Sequence, residues 1–264
     1  MFVDSHCHLN FPELRNNLDD ILLNMQKNKV THALCVSVEM DKFSEIDELS
    51  QAHENLYASI GVHPDYEDIV EPSIEELVSI ASKTKVVAIG ETGLDYFRLK
   101  GDLEWQRERF RKHIRAANES HLPLIIHTRE ARDDTIQILK EELAPGTRGV
   151  LHCFTETYEM AMQAIELDFF ISFSGIVTFK NAIDLKETAK KLPLERMLIE
   201  TDSPYLAPVP FRGKTNDPSK VIHVAEEISR LKDIPIETIA EVTSANFFNL
   251  FNKIQPQSSW KLLY

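Results

Sequence analysis

No stretch of the 264 residues has the run of about 20 predominantly apolar residues that a membrane-spanning helix requires. The amino terminus, MFVDSHCHLN, has neither the basic start nor the apolar core of a secretory signal. Cysteine is scarce. Cys7, Cys35 and Cys153 are odd in number, widely spaced and without a CxxC pair, which argues against a disulfide framework or a thiolate zinc knot and suits a reducing compartment. These absences lead us to expect a soluble, cytoplasmic protein with no membrane association and no obligate protein partner. Positive charge is also short: 29 Lys and Arg stand against 42 Asp and Glu, a formal net charge of -13. A broad basic surface that coats nucleic acid is therefore not expected. An enzyme gripping a few nucleotides still is, because bound divalent cations would supply positive charge where a phosphate sits. The chain has no low-complexity linker, no short internal repeat and no GxGxxG turn after its first strand-like segment.

What is present is a coarse alternation. Short apolar, β-prone runs lie near residues 2 to 6, 33 to 38, 57 to 62, 86 to 91, 123 to 127, 149 to 153, 169 to 173 and 196 to 201. The intervals between them have helical spacing. After Asp102, Leu103, Phe110, Ile114 and Ala117 fall on one face. Asp217-Pro218 is a helix-start signal followed by Val221, Val224, Ala225 and Ile228, and a last helix is expected over residues 236 to 250. Runs such as VVAIG and PLIIH are nearly all apolar, as strands buried on both faces of a parallel sheet should be. Eight strands alternating with helices fit an α/β single domain, most simply a TIM-type (β/α)8 barrel over residues 1 to 252, with 253 to 264 as a C-terminal extension. An open doubly wound sheet satisfies the same pattern.

The first strand ends in His6-Cys7-His8. Strand side chains alternate, so the two imidazoles share a face, with Asp4 on the same side and Cys7 opposite. Alone, such a pair is an ordinary feature of surfaces and cores. It gains meaning because Glu91, His127, His152 and Asp202 stand at the ends of four further strands, and strand C-termini are where barrel enzymes assemble their sites. His63, in GVHP after the third strand, is placed as a substrate contact or hydrogen-bond donor to an anionic group rather than as a ligand. His32, His53, His113, His121 and His223 are expected in helices or their flanks as packing or surface residues. Imidazole with carboxylate suits zinc, manganese or iron, and carboxylate also suits magnesium. Six ligands exceed one tetrahedral zinc and suit two divalent ions, with Glu91 as the bridge because one carboxylate has two oxygens to share. Paired ions about 4 Å apart activate a water and stabilise attacking and leaving oxygens, which points to hydrolysis.

In order along the chain, DSHCHLN, GVHP, GETGLDY, IHTREA, LHCF, SFSG and ETDSPYLAP resemble the motifs of the TatD family of metal-dependent deoxyribonucleases, in the amidohydrolase superfamily. The resemblance spans about the first 210 residues. It implies a TIM barrel, a divalent-metal site and hydrolysis of DNA, with 3' to 5' exonuclease activity known for several members. Carried over by position, His6 and His8 hold one metal, Glu91 bridges, His127 and His152 hold the second, and Asp202 ligates the first and accepts a proton from the attacking water. Many superfamily relatives carry a carboxylated lysine where this chain has Glu91, which agrees with the TatD branch. The family has also been linked to removal of D-amino acids from tRNA, so another ester or amide is an alternative substrate, and a non-catalytic metal-stabilised binding module is a second. For the DNA reading, single-stranded substrate or 3' ends are expected, with Arg129 as the first choice among Arg98, Arg129, Lys180 and Arg212 for contact with the phosphates.

Overall fold

The computed structural model describes residues 1–254, so most of the extension expected over 253 to 264 lies outside the described residues. The chain runs β1 (Phe2–Cys7), α1 (Pro12–Arg15), α2 (Leu18–Lys27), β2 (Val30–Cys35), α3 (Phe43–Ala52), β3 (Leu56–Ile60), α4 (Ile74–Ala81) and β4 (Val86–Asp95). It continues through α5 (Glu104–Ser120), β5 (Leu124–Arg129), α6 (Arg132–Glu142), β6 (Gly149–Leu151), α7 (Tyr158–Glu166), β7 (Phe169–Phe173), α8 (Ile183–Lys191) and β8 (Met197–Ile199). Helices α9 (Val221–Lys232) and α10 (Ile236–Leu250) follow.

All eight strands form one parallel sheet in sequence order. β8 returns to β1, and a single bridge, Cys7 to Ser203, joins them. The backbone N–H of His8 donates to Ser203 O at 2.9 Å, and that of Asp202 donates to His6 O at 2.9 Å. Closure thus occurs at the C-terminal rim, and the open doubly wound alternative is excluded. Strand ends 1 and 8 become neighbours there, while β4 and β5 lie on the far side of the ring.

Strand alternation divides the apolar residues into two layers. Val3, Leu34, Val87, Ile125, Val150, Phe170 and Leu198 cluster together with Phe247, Leu250 and Phe251, so the end of α10 packs on the residues that fill the barrel. The larger layer, which includes Ile60, Ile89, Leu124 and Ile171, lies between strands and helices. Phe110, Ile114 and Ala117 of α5, with Leu103 just before it, are buried as their spacing predicts, and so are Val221, Val224, Ala225 and Ile228 of α9. Asp217 caps as expected, its carboxylate accepting from Ser219 N at 3.0 Å, although it opens a short 3-10 turn ahead of α9.

Three expectations shift. β2 starts at Val30, three residues early, so His32 lies in a strand and not in a helix or its flank. β4 runs on to Asp95, because after a register shift Thr92, Gly93, Leu94 and Asp95 keep pairing with β5. In β1 the register also shifts between Asp4 and Cys7, which breaks strict alternation. Asp4 therefore leaves the face of the two histidines. Its carboxylate accepts from Thr201 N at 2.8 Å and Thr201 Oγ at 2.6 Å, fastening β1 to the segment after β8.

His113 of α5 is a packing residue, as expected, but a particular one. Its Nδ1–H donates to Arg109 O at 2.8 Å, so its Nε2 accepts from Val62 N at 3.1 Å and fixes the backbone just before His63. Burial drops its pKa to about 4 from 6.5. Between those values the unfolded chain takes a proton that the folded chain refuses, so stability falls as the pH drops from about 6.5 toward 4. The shift corresponds to about 3 kcal/mol over that window. Urea unfolding at pH 7 and pH 4.5 should show less acid destabilisation for His113→Gln than for the parent, and equal losses would exclude this role.

Candidate metal centre

Glu91 lies at the centre of the mouth, 2% exposed. Its Oε2 is 3.3 Å from His6 Nε2. Its Oε1 is 2.7 Å from His152 Nε2, 3.3 Å from His63 Nε2 and 3.4 Å from His127 Nδ1. Oε2 thus faces His6 and Oε1 faces the other three imidazoles, with the His152 ring stacked on that of His6 at 4.0 Å. Asp202 stands on the His6 side, its Oδ1 3.4 Å from His8 Nε2 and 3.6 Å from His6 Nε2. All six residues expected from strand ends therefore meet. Three groups have ligand atoms mutually within 4.8 Å: His6, His8 and Glu91; His63, Glu91 and His127; and His6, His152 and Asp202. His63, expected as a substrate contact, sits as close to Glu91 as the expected ligands do.

Local backbone produces this approach. Gly90 and Gly93 flank Glu91 with φ of 142° and 136°, outside what side chains tolerate. A Cβ on Gly93 would come within 2.0 Å of His127 O, and one on Gly90 within 2.5 Å of Ile125 O. Both glycines let β4 press against β5, which brings Glu91 and His127 together. Cys153 and Asp202 take left-handed backbone at φ 42° and 54°, conformations that cost side-chain-bearing residues and that concentrate at functional sites.

Three of the imidazoles are anchored from behind. His8 Nδ1 bonds Val36 O at 3.0 Å, His127 Nε2 bonds Asp95 Oδ2 at 3.0 Å, and His152 Nδ1 lies 3.3 Å from Glu200 Oε1. In each ring the anchored nitrogen carries the proton, which leaves the other nitrogen's lone pair aimed at the carboxylates. His152 Nε2 is buried without a hydrogen-bond partner among the described residues, although it lies 2.7 Å from Glu91 Oε1. Lone pairs and carboxylate oxygens crowded at such distances repel unless a proton or a cation lies among them. The donor set fits divalent ions on this ground.

The titration behaviour agrees. Burial alone would keep Glu91 protonated, but the charge on His152 and the hydrogen bonds from His127 and His152 outweigh it and hold the carboxyl well below its usual range. Burial opposes charge on His152, yet Glu91 and Glu200 raise it well above the ordinary imidazole value. A proton there stands where a cation would. Burial lowers His63 to about 3, so that ring stays neutral. Burial also works against ionised Asp202, but His8 and His6 overcome it and its pKa falls below the carboxylate norm.

Asp95 and Glu200 were not singled out in the sequence. Each had a signal: Asp95 closes the GETGLD segment four residues after Glu91, and Glu200 precedes Asp202 by two in ETD. Glu200 is fully buried and also accepts from Cys153 N at 2.7 Å, so it fixes both the ring and the turn that follows it. We expect Glu200→Gln to weaken metal binding by about 10- to 100-fold, because a neutral amide orients His152 less firmly. Titration of the apoprotein with Mn2+ would check this, and unchanged affinity would remove the role.

The centre opens into a cavity of about 550 Å³. Arg98 and Arg129 line it, whereas Lys180 and Arg212 do not. Arg129 lies over the Phe97 ring at 3.8 Å, and Arg98 pairs with Asp65 at 2.7 Å. Among the described residues, no helix is long and apolar enough to cross a membrane.

The model of the family described as TatD related DNase matches residues 3–252. Over 254 residues the chain is 44% identical to YcfH of Escherichia coli K12, named an uncharacterized metal-dependent hydrolase, covering 95% of each chain. It is 42% identical to YabD of Bacillus subtilis, which bears the same description, over 95% of this chain and 99% of that one. The crystal structure of YjjV, a TatD homologue from E. coli K12, superposes with a TM-score of 0.89 at 30% identity, covering 95% of this chain and 98% of that one.

Proposed function

The chain belongs to the TatD family of metal-dependent hydrolases, and from that premise we propose that it uses two divalent ions to hydrolyse phosphodiester bonds of DNA, releasing nucleotides from 3' ends. The observation that carries this reading is the division of Glu91: one carboxylate oxygen faces His6 and the other faces His63, His127 and His152. A carboxylate shared in this way suits a pair of cations. When bound, such a pair supplies Lewis acidity and a nucleophilic water at neutral pH, and it offsets charge on the leaving oxygen.

The chain's own residues do the rest. His6, His8, Glu91 and Asp202 would hold the first ion, and Glu91, His127 and His152 the second, with His63 beside them. Asp202 keeps its carboxylate ionised at neutral pH and lines the cavity, so it can accept a proton from the attacking water. Arg129 has no ion pair among the described residues and lines the same cavity, so its guanidinium is available to a neighbouring phosphate. With the overall charge at -13, this arrangement supports an enzyme that attracts a phosphodiester locally, at the ions and Arg129, and not through its whole surface.

The test is a single-stranded oligodeoxynucleotide labelled at its 5' end, incubated with protein that has been stripped of metal and reloaded with Mg2+, Mn2+ or Zn2+. Stepwise shortening that needs the metal supports the reading. An uncut oligonucleotide, with the ions shown to be bound, rejects it.

A further inference from the structure

The mouth has two chemically different sides. Phe11 follows β1, Tyr205 and Leu206 follow β8, and Ile176 follows β7, so adjacent strand ends line one arc of the cavity with aromatic and aliphatic side chains. Thr128 and Arg129 end β5, Arg98 follows β4, and Asp65 and Tyr66 follow β3. With Arg98 paired to Asp65, the unpaired cation among the described residues of this opposite arc is Arg129. The candidate ligands lie between them. The aromatic arc is built directly on the metal centre: the Phe11 ring stacks on His8 with centroids 4.9 Å apart and planes 19° apart, and Tyr205 meets Phe11 edge-on at 6.3 Å. Tyr205 is 56% exposed, and its backbone N–H donates to Asp202 O at 3.1 Å.

Tyr205 stays more than half exposed beside the candidate proton acceptor despite its edge contact with Phe11, and 550 Å³ is far more room than ions and a water need. Resting on the phosphodiesterase reading above, we infer that the exposed ring of Tyr205, braced edge-on by Phe11, forms a stacking platform for the base of the terminal nucleotide, while the next phosphate inward lies toward Arg129. Every base has a π-face, so the platform tolerates any sequence but requires the terminal base to be unpaired. Specificity for a frayed or single-stranded end then comes from this arc and not from the metal centre.

The test compares two single-stranded oligonucleotides that differ only in whether the terminal nucleotide carries its base, cut by the metal-loaded enzyme. Parent protein should show a KM about five- to a hundredfold lower with the base present. In Tyr205→Ala and Phe11→Ala that ratio should fall toward one and Tyr205→Phe, which keeps the ring face, should retain it, whereas a purely structural role would move both substrates together and leave the ratio unchanged. Binding of both oligonucleotides to Asp202→Asn loaded with the same metal, followed by fluorescence anisotropy, should show the same dependence on the base. If the parent cuts both substrates with equal KM, or Tyr205→Ala keeps the full ratio, the platform is overturned while the nuclease reading stands. If neither oligonucleotide is bound or cut, both fall.

Discussion

Glu91→Ala should lower hydrolysis by about a thousandfold or more and reduce the metal content below that of the parent. The reason is geometric. Among the described residues, Glu91 is the one carboxylate within 3.4 Å of all four imidazoles, Oε2 toward His6 and Oε1 toward His63, His127 and His152. Its removal takes a negative charge from the middle of four rings and leaves both proposed ions short of a ligand. A thousandfold loss corresponds to about 4 kcal/mol of transition-state stabilisation, within reach of a group that holds charge in a dry site. Glu91→Gln separates charge from volume: it fills the same space, so a comparable loss would assign the effect to the carboxylate. His152 gives a second readout, because Glu91 is the larger of the two acidic influences that raise its pKa. In metal-free Glu91→Gln, the His152 ring should therefore release its proton at lower pH, which NMR titration would register. A variant with full metal content and a rate within tenfold of the parent would refute the bridging role.

Asp202→Asn should behave differently, losing about a hundred- to ten-thousandfold in turnover while the protein still binds metal. Asp202 brings one oxygen near His6 and His8, which Glu91 also serves, so an amide oxygen can keep a weaker contact there. What the amide cannot do is accept a proton. Asn is also among the residues that tolerate left-handed backbone, so the turn at φ 54° survives the change. The sign of the pH dependence follows from the lowered pKa of the parent residue: Asp202 is ionised, and able to act as a base, at all pH values above its depressed pKa. The parent should therefore keep its general base into mildly acidic solution, and any activity lost there should track protonation of the histidine ligands, which releases the ions. Metal analysis alongside single-turnover rates would separate these effects, and an unchanged rate in metal-loaded Asp202→Asn would exclude proton transfer through this residue.

Much of the site was legible because its members obey local rules. His6 and His8 occupy alternate strand positions, and Glu91, His127, His152 and Asp202 each follow a short apolar run, so residue type and strand end can be read together. What escaped was the layer behind them. Asp95 and Glu200 look like ordinary acids beside ligands, and their function appears only when β4 is seen to continue to Asp95 and β6 to place His152 next to Glu200. Asp4 is the opposite case. Strict alternation places it beside His6 and His8, but the register shift in β1 turns it to Thr201, where it helps close the barrel. Phe11 and Tyr205, 194 positions apart, gave no local sign of forming one surface.

The sequence by itself determined eight strand segments, the helices between them and which ligand-type residues stand at strand ends, because periodicity, burial and turn chemistry act over a few residues. Only the tertiary structure decided that the sheet closes, that the two oxygens of Glu91 face different imidazoles, that His63 joins the cluster, and that an aromatic arc faces one that carries Arg129. Those outcomes depend on strand register and ring closure, which are set by packing between residues far apart in the chain.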